Sequence, residues 1–272
     1  MSQPTRVASE LPRAARQAGA PAVEGLLIVG HGTRDPRGQA EMQAVVERVA
    51  ARLPGVPCQG CSLEFATPTI AEGVSLLSQR GVERIVAMPL LLFAAGHVKE
   101  DIPAALAAAS AQAGGIPIEF KRYLGCHPAL VELAVKRCEE ALARAGVGEF
   151  GGRSQTLLLM VGRGSRDPEA NAEMAQFARL VFERVQPAWL EVCFTALAEP
   201  LLARGLEFAG ATRFPQIVVQ PHLLFPGELL ERVRRWVEPL PRMTGKHWLL
   251  AEHLGVDALL VDAIVSIAGI RC

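Results

Sequence analysis

The chain has no excess of charge of either sign and no long hydrophobic run. Among its 272 residues, 28 lysines and arginines balance 28 aspartates and glutamates, so no global field favours nucleic acid or an anionic membrane surface. Apolar stretches such as the one from Ile85 to Gly96 are far shorter than the roughly 20 residues that a bilayer span needs. The sequence therefore predicts a cytoplasmic protein with neither a nucleic-acid nor a membrane partner.

Cysteine is too sparse for a disulfide scaffold, with six in the whole chain. Cys58 and Cys61 form a CxxC pair, which could supply half of a zinc or iron–sulfur site, but no second CxxC exists to complete one. We interpret both residues as small side chains on a strand.

The chain contains an internal repeat. "LLIVGHGTRDP" from Leu26 is identical at eight of eleven positions to "LLMVGRGSRDP" from Leu158. The offset between His31 and Arg163 is 132 residues (163 minus 31), and Pro89 and Pro221 have the same offset. Near the ends of the two copies the offset becomes 130 (255 minus 125). Because chance similarity does not keep a constant register, we infer two homologous halves.

Each half alternates between short apolar runs and segments of helical spacing. Runs such as "GLLIVG" and "RIVAMPLLLF" are typical of buried parallel strands, and "RGQAEMQAVVERVAARL" is typical of a helix between them. This pattern predicts an α/β fold with two similar doubly wound parallel-sheet domains, each with a core of its own.

The domain limits follow from composition and from the repeat. Residues 1–24 are rich in Ala, Arg and Pro without a hydrophobic period, which indicates a flexible leader. The first domain is predicted at 25–145 and the second at 156–272, with the glycine-rich segment Gly146 to Gln155 as the connector.

Three reactive side chains follow the first three predicted strands. His31 comes after strand 1, Glu64 closes strand 2 and His97 comes after strand 3. With the strand order 2-1-3, one cleft at the carboxyl edge gathers all three. Imidazoles and a carboxylate suit a divalent metal ion and can accept protons near neutral pH. An unpaired carboxylate in an apolar strand is costly, which favours a functional role for Glu64; the alternative for His31, between two glycines, is a purely structural turn.

Two other histidines are interpreted as structural. His127 lies at a predicted helix start, as Asp257 does in the other half, and is expected to serve in a turn or a cap. His222 is expected to serve in packing.

Four stretches, "LLIVGHGTRDP", "LEFATPTIAEGV", "RIVAMPLLLFAAGHVKEDIP" and "LGCHPAL", resemble the sirohydrochlorin chelatase family, the class II chelatases that insert cobalt or ferrous iron into sirohydrochlorin. The resemblance covers nearly all of residues 25–270 if the second half is a fused repeat. It implies that His31 and His97 handle the metal, that Glu64 is the active-site acid, and that no cofactor is needed beyond the metal substrate, which is cobalt, iron or nickel. Both cobalamin and siroheme biosynthesis remain open.

The second half departs from that family pattern. In the repeat alignment, Arg163 occupies the position of His31 and Ala196 the position of Glu64, and no histidine aligns near His97. The second half is therefore expected to form a wall of the cleft in a monomer, without a metal site of its own. Guanidinium pairs well with the carboxylates of sirohydrochlorin, and the candidate cations for that contact are Arg34, Lys99, Arg163 and Arg166.

Two other classes of function stay open. A carrier that binds metal or tetrapyrrole without turnover would use the same histidines. A histidine phosphatase would use His31 as a nucleophile, although in that family an arginine precedes the histidine, where this chain has Gly30.

Overall fold

The computed structural model describes residues 23–93, 96–144 and 152–270, with the side chains of residues 96–98 excepted. The first half runs β1 (Glu24–Gly30), α1 (Pro36–Arg52), β2 (Cys58–Ser62), α2 (Ile70–Gln79), β3 (Arg84–Leu90), α3 (Gly96–Gln112), β4 (Ile118–Phe120) and α4 (Pro128–Arg144). The second half runs β5 (Thr156–Gly162), α5 (Pro168–Val185), β6 (Trp189–Phe194), α6 (Leu202–Ala211), β7 (Gln216–Pro221), α7 (Glu228–Val237), α8 (Leu240–Thr244), β8 (His247–Leu250) and α9 (Ala258–Ala268).

The two sheets have the same parallel topology. Their strand orders are β2-β1-β3-β4 and β6-β5-β7-β8, so the predicted fold class and the order 2-1-3 are confirmed. Strand β1 already begins at Glu24, inside the predicted leader. Residues 1–22, most of the predicted connector and residues 271–272 lie outside the described part of the chain.

The repeated "RDP" motif forms the start of a helix in both halves. Asp35 caps α1 by accepting a hydrogen bond from the Arg37 amide at 2.9 Å, and Asp167 caps α5 in the same way at 3.0 Å. The proline that follows each cap occupies the first helical position, where its missing N–H costs nothing. This local chemistry explains why both copies keep the motif.

The buried apolar side chains of the described residues form three clusters. The largest lies between the two sheets, where α1, α4, α5 and α9 contribute residues such as Val45, Leu133, Phe177 and Ile264. The outer face of the first sheet is covered by α2 and α3, and that of the second by α6 and α7. The expectation of one separate core in each half is therefore wrong, because the inner faces of both sheets share the central cluster. Within the described ranges, none of the helices combines the length and the apolar character required to cross a bilayer.

Candidate active site

A cleft of about 1010 Å³ opens between the two halves. Its walls include the loops that follow β1, β2, β3, β5 and β7, together with the N-terminal parts of α1 and α5. Strand β1 leads to α1 on the inner face of the first sheet, whereas β3 leads to α3 on the outer face. The cleft therefore lies at the switch point, where parallel sheets bind ligands.

His31 lines this cleft directly after β1 and is half-buried. Its ring stacks on Phe65 with ring centroids 6.1 Å apart. Phe65 is half exposed and has a φ of 63°, a left-handed conformation that is strained for a bulky residue. The guanidinium of exposed Arg34 lies 4.4 Å from the centroid of the Phe65 ring, which is within cation–π range. His31, Phe65 and Arg34 thus form one stacked group at the rim of the first half.

Gly32 brings the loops after β1 and β2 into backbone contact. Its φ is 94°, and a Cβ atom at this position would lie 1.8 Å from the carbonyl oxygen of Glu64. The Glu64 amide in turn donates to the His31 carbonyl at 3.0 Å. Gly164 repeats the arrangement in the second half, with a Cβ position 1.9 Å from the Ala196 carbonyl oxygen. Glycine is required at both positions by conformation and by space.

Glu64 differs from its predicted setting. Strand β2 ends at Ser62, and Glu64 is an exposed residue of the following loop. The argument from a buried carboxylate in an apolar strand is therefore wrong. Glu64 does not line the cleft, and only its backbone contact with His31 places it near the rim.

His97 lies in the first turn of α3, and its side chain is outside the described part of the structure. That its imidazole joins the one of His31 stays a prediction. Among the described side chains, no group of three His, Cys, Asp or Glu residues could hold a metal ion. Cys58 and Cys61 lie on β2 as predicted, and burial raises the pKa of the Cys61 thiol to about 12.

The four predicted cations occupy different settings. Arg163 and Arg166 are exposed and line the cleft from the second half, and Arg34 packs on Phe65. The Lys99 ammonium lies 3.0 Å from both Asp167 and Glu169. Hydrogen bonds to these carboxylates hold the pKa of Lys99 above its usual range. Lys99 therefore forms an ion pair between the two halves, which the sequence did not indicate.

Sequence reasoning missed Glu100 on α3, which lines the cleft. His222 is only 2% exposed, as its expected packing role requires, but it also lines the cleft. The His222 ring lies between Phe177 and Phe93, with centroid distances of 4.0 and 5.2 Å. Neither ring nitrogen has a hydrogen-bond partner among the described residues. Its repeat partner is Leu90 (222 minus 132), so a polar residue at an otherwise apolar position was the available signal.

His222→Leu is expected to stabilise the fold, increasingly so in acid. Burial lowers the pKa of His222 to about 3, whereas the pKa in the unfolded chain is about 6.5. Above pH 6.5 the imidazole is neutral in both the folded and the unfolded state, and the free energy of unfolding has its full value. As the pH falls toward 3, only the unfolded chain binds the proton, so the free energy of unfolding decreases by up to about 1.4 kcal/mol per pH unit.

Urea unfolding at pH 7, 6 and 5 tests this expectation. At pH 7 the variant should gain about 1 kcal/mol by removal of the unpaired nitrogens, and its advantage over the wild type should grow at pH 5. Additional measurements at pH 8 and 9 provide the control, because His222 is neutral there in both the folded and the unfolded state, so the two proteins should show the same pH dependence. Equal pH dependence of the two proteins between pH 7 and 5 would contradict the burial of a neutral imidazole.

The remaining histidine prediction is confirmed. His127 accepts a hydrogen bond from the Ala129 amide at 3.3 Å at the start of α4. Asp257 caps α9 at the equivalent place by accepting from the Leu259 amide at 3.0 Å.

Comparison with known proteins gives consistent matches. The CbiX family model matches residues 25–141 and 157–268, one copy in each half. A sirohydrochlorin ferrochelatase of Priestia megaterium is 31% identical over 234 residues, which cover 86% of this chain and 85% of that protein. A sirohydrochlorin cobaltochelatase of the same organism is 28% identical over 216 residues, with coverage of 79% and 69%. The structure of SirB from Bacillus subtilis with Fe3+ superposes with a TM-score of 0.78 at 26% identity, covering 90% of this chain and 94% of that one.

Proposed function

The chain belongs to the CbiX family, and on that premise we propose that it inserts a divalent metal ion, cobalt or ferrous iron, into sirohydrochlorin. The observation that carries the proposal is a cleft whose two walls carry different reactive side chains. His31 lines one wall, and Arg163 and Arg166 line the other. Its volume of about 1010 Å³ lies at the upper end of the range for small-molecule sites, as a large tetrapyrrole requires.

In the proposed mechanism the first half holds the metal. The imidazoles of His31 and His97 bind the ion as neutral ligands below one face of the ring. Formation of the metal–nitrogen bonds displaces the two protons of the inner pyrrole nitrogens, so one divalent ion replaces two protons. Glu64 accepts these protons and passes them to water, which its exposed position allows. We infer that no cofactor takes part, because this exchange changes no oxidation state.

The second half holds the ring. Arg163 and Arg166 are exposed toward the cleft, and each guanidinium can bind a ring carboxylate in bidentate fashion. Arg34 is placed to do the same from the rim of the first half. The contribution of this wall is orientation, which keeps the inner nitrogens above the bound metal.

Absorbance spectroscopy tests the proposed function. Sirohydrochlorin is mixed anaerobically with Co²⁺ or Fe²⁺ and a catalytic amount of protein, and spontaneous insertion is subtracted. We expect many turnovers per chain with at least one of the two metals. A spectral change that stops at one equivalent would instead indicate a carrier, and no change would leave a phosphatase activity to be tested.

Arg163→Ala is expected to raise the KM for sirohydrochlorin roughly 10-fold with little change in kcat. The reason is that one charge-assisted hydrogen bond of about 1.5 kcal/mol or more is lost from binding. Arg163→Lys should recover part of the affinity, because the charge returns without the bidentate geometry. Steady-state kinetics measure the effect.

The control is Arg204→Ala, which removes an exposed arginine on α6, away from the cleft. Arg163→His should behave as Arg163→Ala does. It should not create a second metal site, because the second half still has Ala196 at the position that Glu64 occupies in the first half. An unchanged KM for Arg163→Ala would argue against a role for this wall in holding the ring.

A further inference from the structure

The contacts between the halves come in pairs related by an approximate two-fold axis. Arg52 on α1 pairs with Asp262 on α9 at 3.1 Å, and Arg184 on α5 pairs with Glu132 on α4 at 2.9 Å. Residue 184 is the repeat partner of residue 52, and residue 262 is the repeat partner of residue 132, at the offsets of 132 and 130 found in the sequence. Each half therefore offers the same surface to the other, as in a symmetric dimer.

A second pair of contacts follows the same rule. Glu41 pairs with His253 at 2.9 Å, and the Tyr123 hydroxyl donates to Glu173 at 2.9 Å. Nothing in these contacts distinguishes a first half from a second half. Two first halves brought together in the same geometry would place Arg52 against Glu132 and Glu41 against Tyr123, which are also favourable contacts.

A third pair of contacts breaks the equivalence, as Lys136–Asp257 and its repeat-related contact His127–Ser266 also do. Arg37 on α1 pairs with Glu231 on α7 at 3.0 Å, and Lys99 on α3 pairs with Glu169 on α5 at 3.0 Å. Glu169 is the repeat partner of Arg37 (169 minus 37 is 132), and Glu231 is the repeat partner of Lys99 (231 minus 99 is 132). The first half thus contributes both cations, and the second half contributes both anions.

This distribution makes the pairing of like halves unfavourable. Two first halves would place Arg37 against Lys99 twice, and two second halves would place Glu169 against Glu231 twice. Asp35 would offset only part of the repulsion in the first case, because it also pairs with Arg37 at 2.8 Å. Exposed ion pairs are individually weak, but the choice between two partners depends on the difference between attraction and repulsion.

We propose that the charges at positions 37, 99, 169 and 231 select an opposite half as the partner and keep like halves of two chains from pairing. The surface around α1 and the first turn of α3 fits the second half of this chain and rejects a second copy of the first half. Together with the ion pair between Lys136 and Asp257, these four charges direct the assembly of the cleft with one metal wall and one arginine wall.

The test uses the full chain with Lys99→Glu/Glu231→Lys, which leaves composition and net charge unchanged. In this variant the native pairing carries two like-charge contacts, whereas both like-half pairings become attractive. We expect Tm to fall by about 5 °C at low ionic strength. After refolding at high protein concentration, we expect dimers in size-exclusion chromatography with light scattering. Both effects should diminish in 1 M NaCl, where the Debye length is only about 3 Å.

The matched control is Lys99→Glu/Glu169→Lys, which shares one substitution with the test variant. Here the contacts of position 37 with position 231 and of position 99 with position 169 stay attractive. The introduced lysine lies beside Asp167 as Arg37 lies beside Asp35, and the Lys99–Asp167 contact at 3.0 Å is lost equally in both double variants. Its Tm should stay within about 2 °C of the wild type. Equal Tm values for the two double variants at low salt would overturn the proposal, and so would a difference that persists undiminished in 1 M NaCl.

Discussion

His31→Ala is expected to lower the rate of metal insertion by about 100-fold or more while the protein stays folded. His31 lines the cleft and is only half-buried, so its removal takes away a proposed metal ligand without opening a cavity in any of the three cores. His97→Ala should cause a similar loss. If the two imidazoles act on one ion, as proposed, the double variant should be little worse than either single variant. Anaerobic turnover assays and visible absorption of bound Co²⁺ measure these effects.

His127→Ala is the matched control for this prediction. It removes a histidine of the same half that caps α4 and lies away from the cleft, so turnover per folded molecule should match the wild type. A folded His31→Ala protein with near wild-type turnover would rule out His31 as a metal ligand and leave the motif a structural turn.

The second large effect is expected from Gly32→Ala, compared with Gly164→Ala. The new methyl groups would lie 1.8 and 1.9 Å from carbonyl oxygens, and both positions have a positive φ. Each substitution should therefore lower the free energy of unfolding by a similar amount, about 2 to 4 kcal/mol. Only Gly32→Ala should also abolish turnover in the molecules that remain folded, because it separates His31 from Glu64. Urea unfolding and turnover at a temperature where both variants are folded provide the two measurements.

Equal losses of turnover per folded molecule in the two glycine variants would contradict the assignment of the chemistry to the first half. This comparison is sharp because the two loops share their backbone conformation and differ in what they carry. In the first half the loop carries His31 in backbone contact with Glu64. In the second half it carries Arg163 in backbone contact with Ala196.

The fold was predictable because its signals are local and occur twice. Apolar runs fix the strands, and the constant offset between His31 and Arg163 identifies the halves. The shared central core was not predictable in this way. The inner face of a sheet has the same apolar pattern whether its helices form a core for one half alone or a core shared by both halves. The place of Phe177 between the sheets depends on packing between elements that are distant in sequence.

The candidate site was predictable in part. The carboxyl edge of a parallel sheet located His31 and Arg163 in the cleft, since strand ends are set by the topology. The exposure of Glu64 depends on where β2 stops, and the ion pair of Lys99 depends on a carboxylate 70 positions away. Neither is encoded in local spacing. That His222 lines the cleft could have been predicted, because the repeat aligns this polar residue with Leu90.

The central core also has an evolutionary consequence. Leu158 and Met160 of β5 lie in the same buried cluster as Leu26 and Ile28 of β1, so damage to either sheet removes packing from both. The replacement of the motif histidine by Arg163 in the second half therefore does not relax selection on the interior of that half. Mutational drift in that half should be confined to its cleft-facing loops and outer surface, and those are the places where it is free to acquire new specificity.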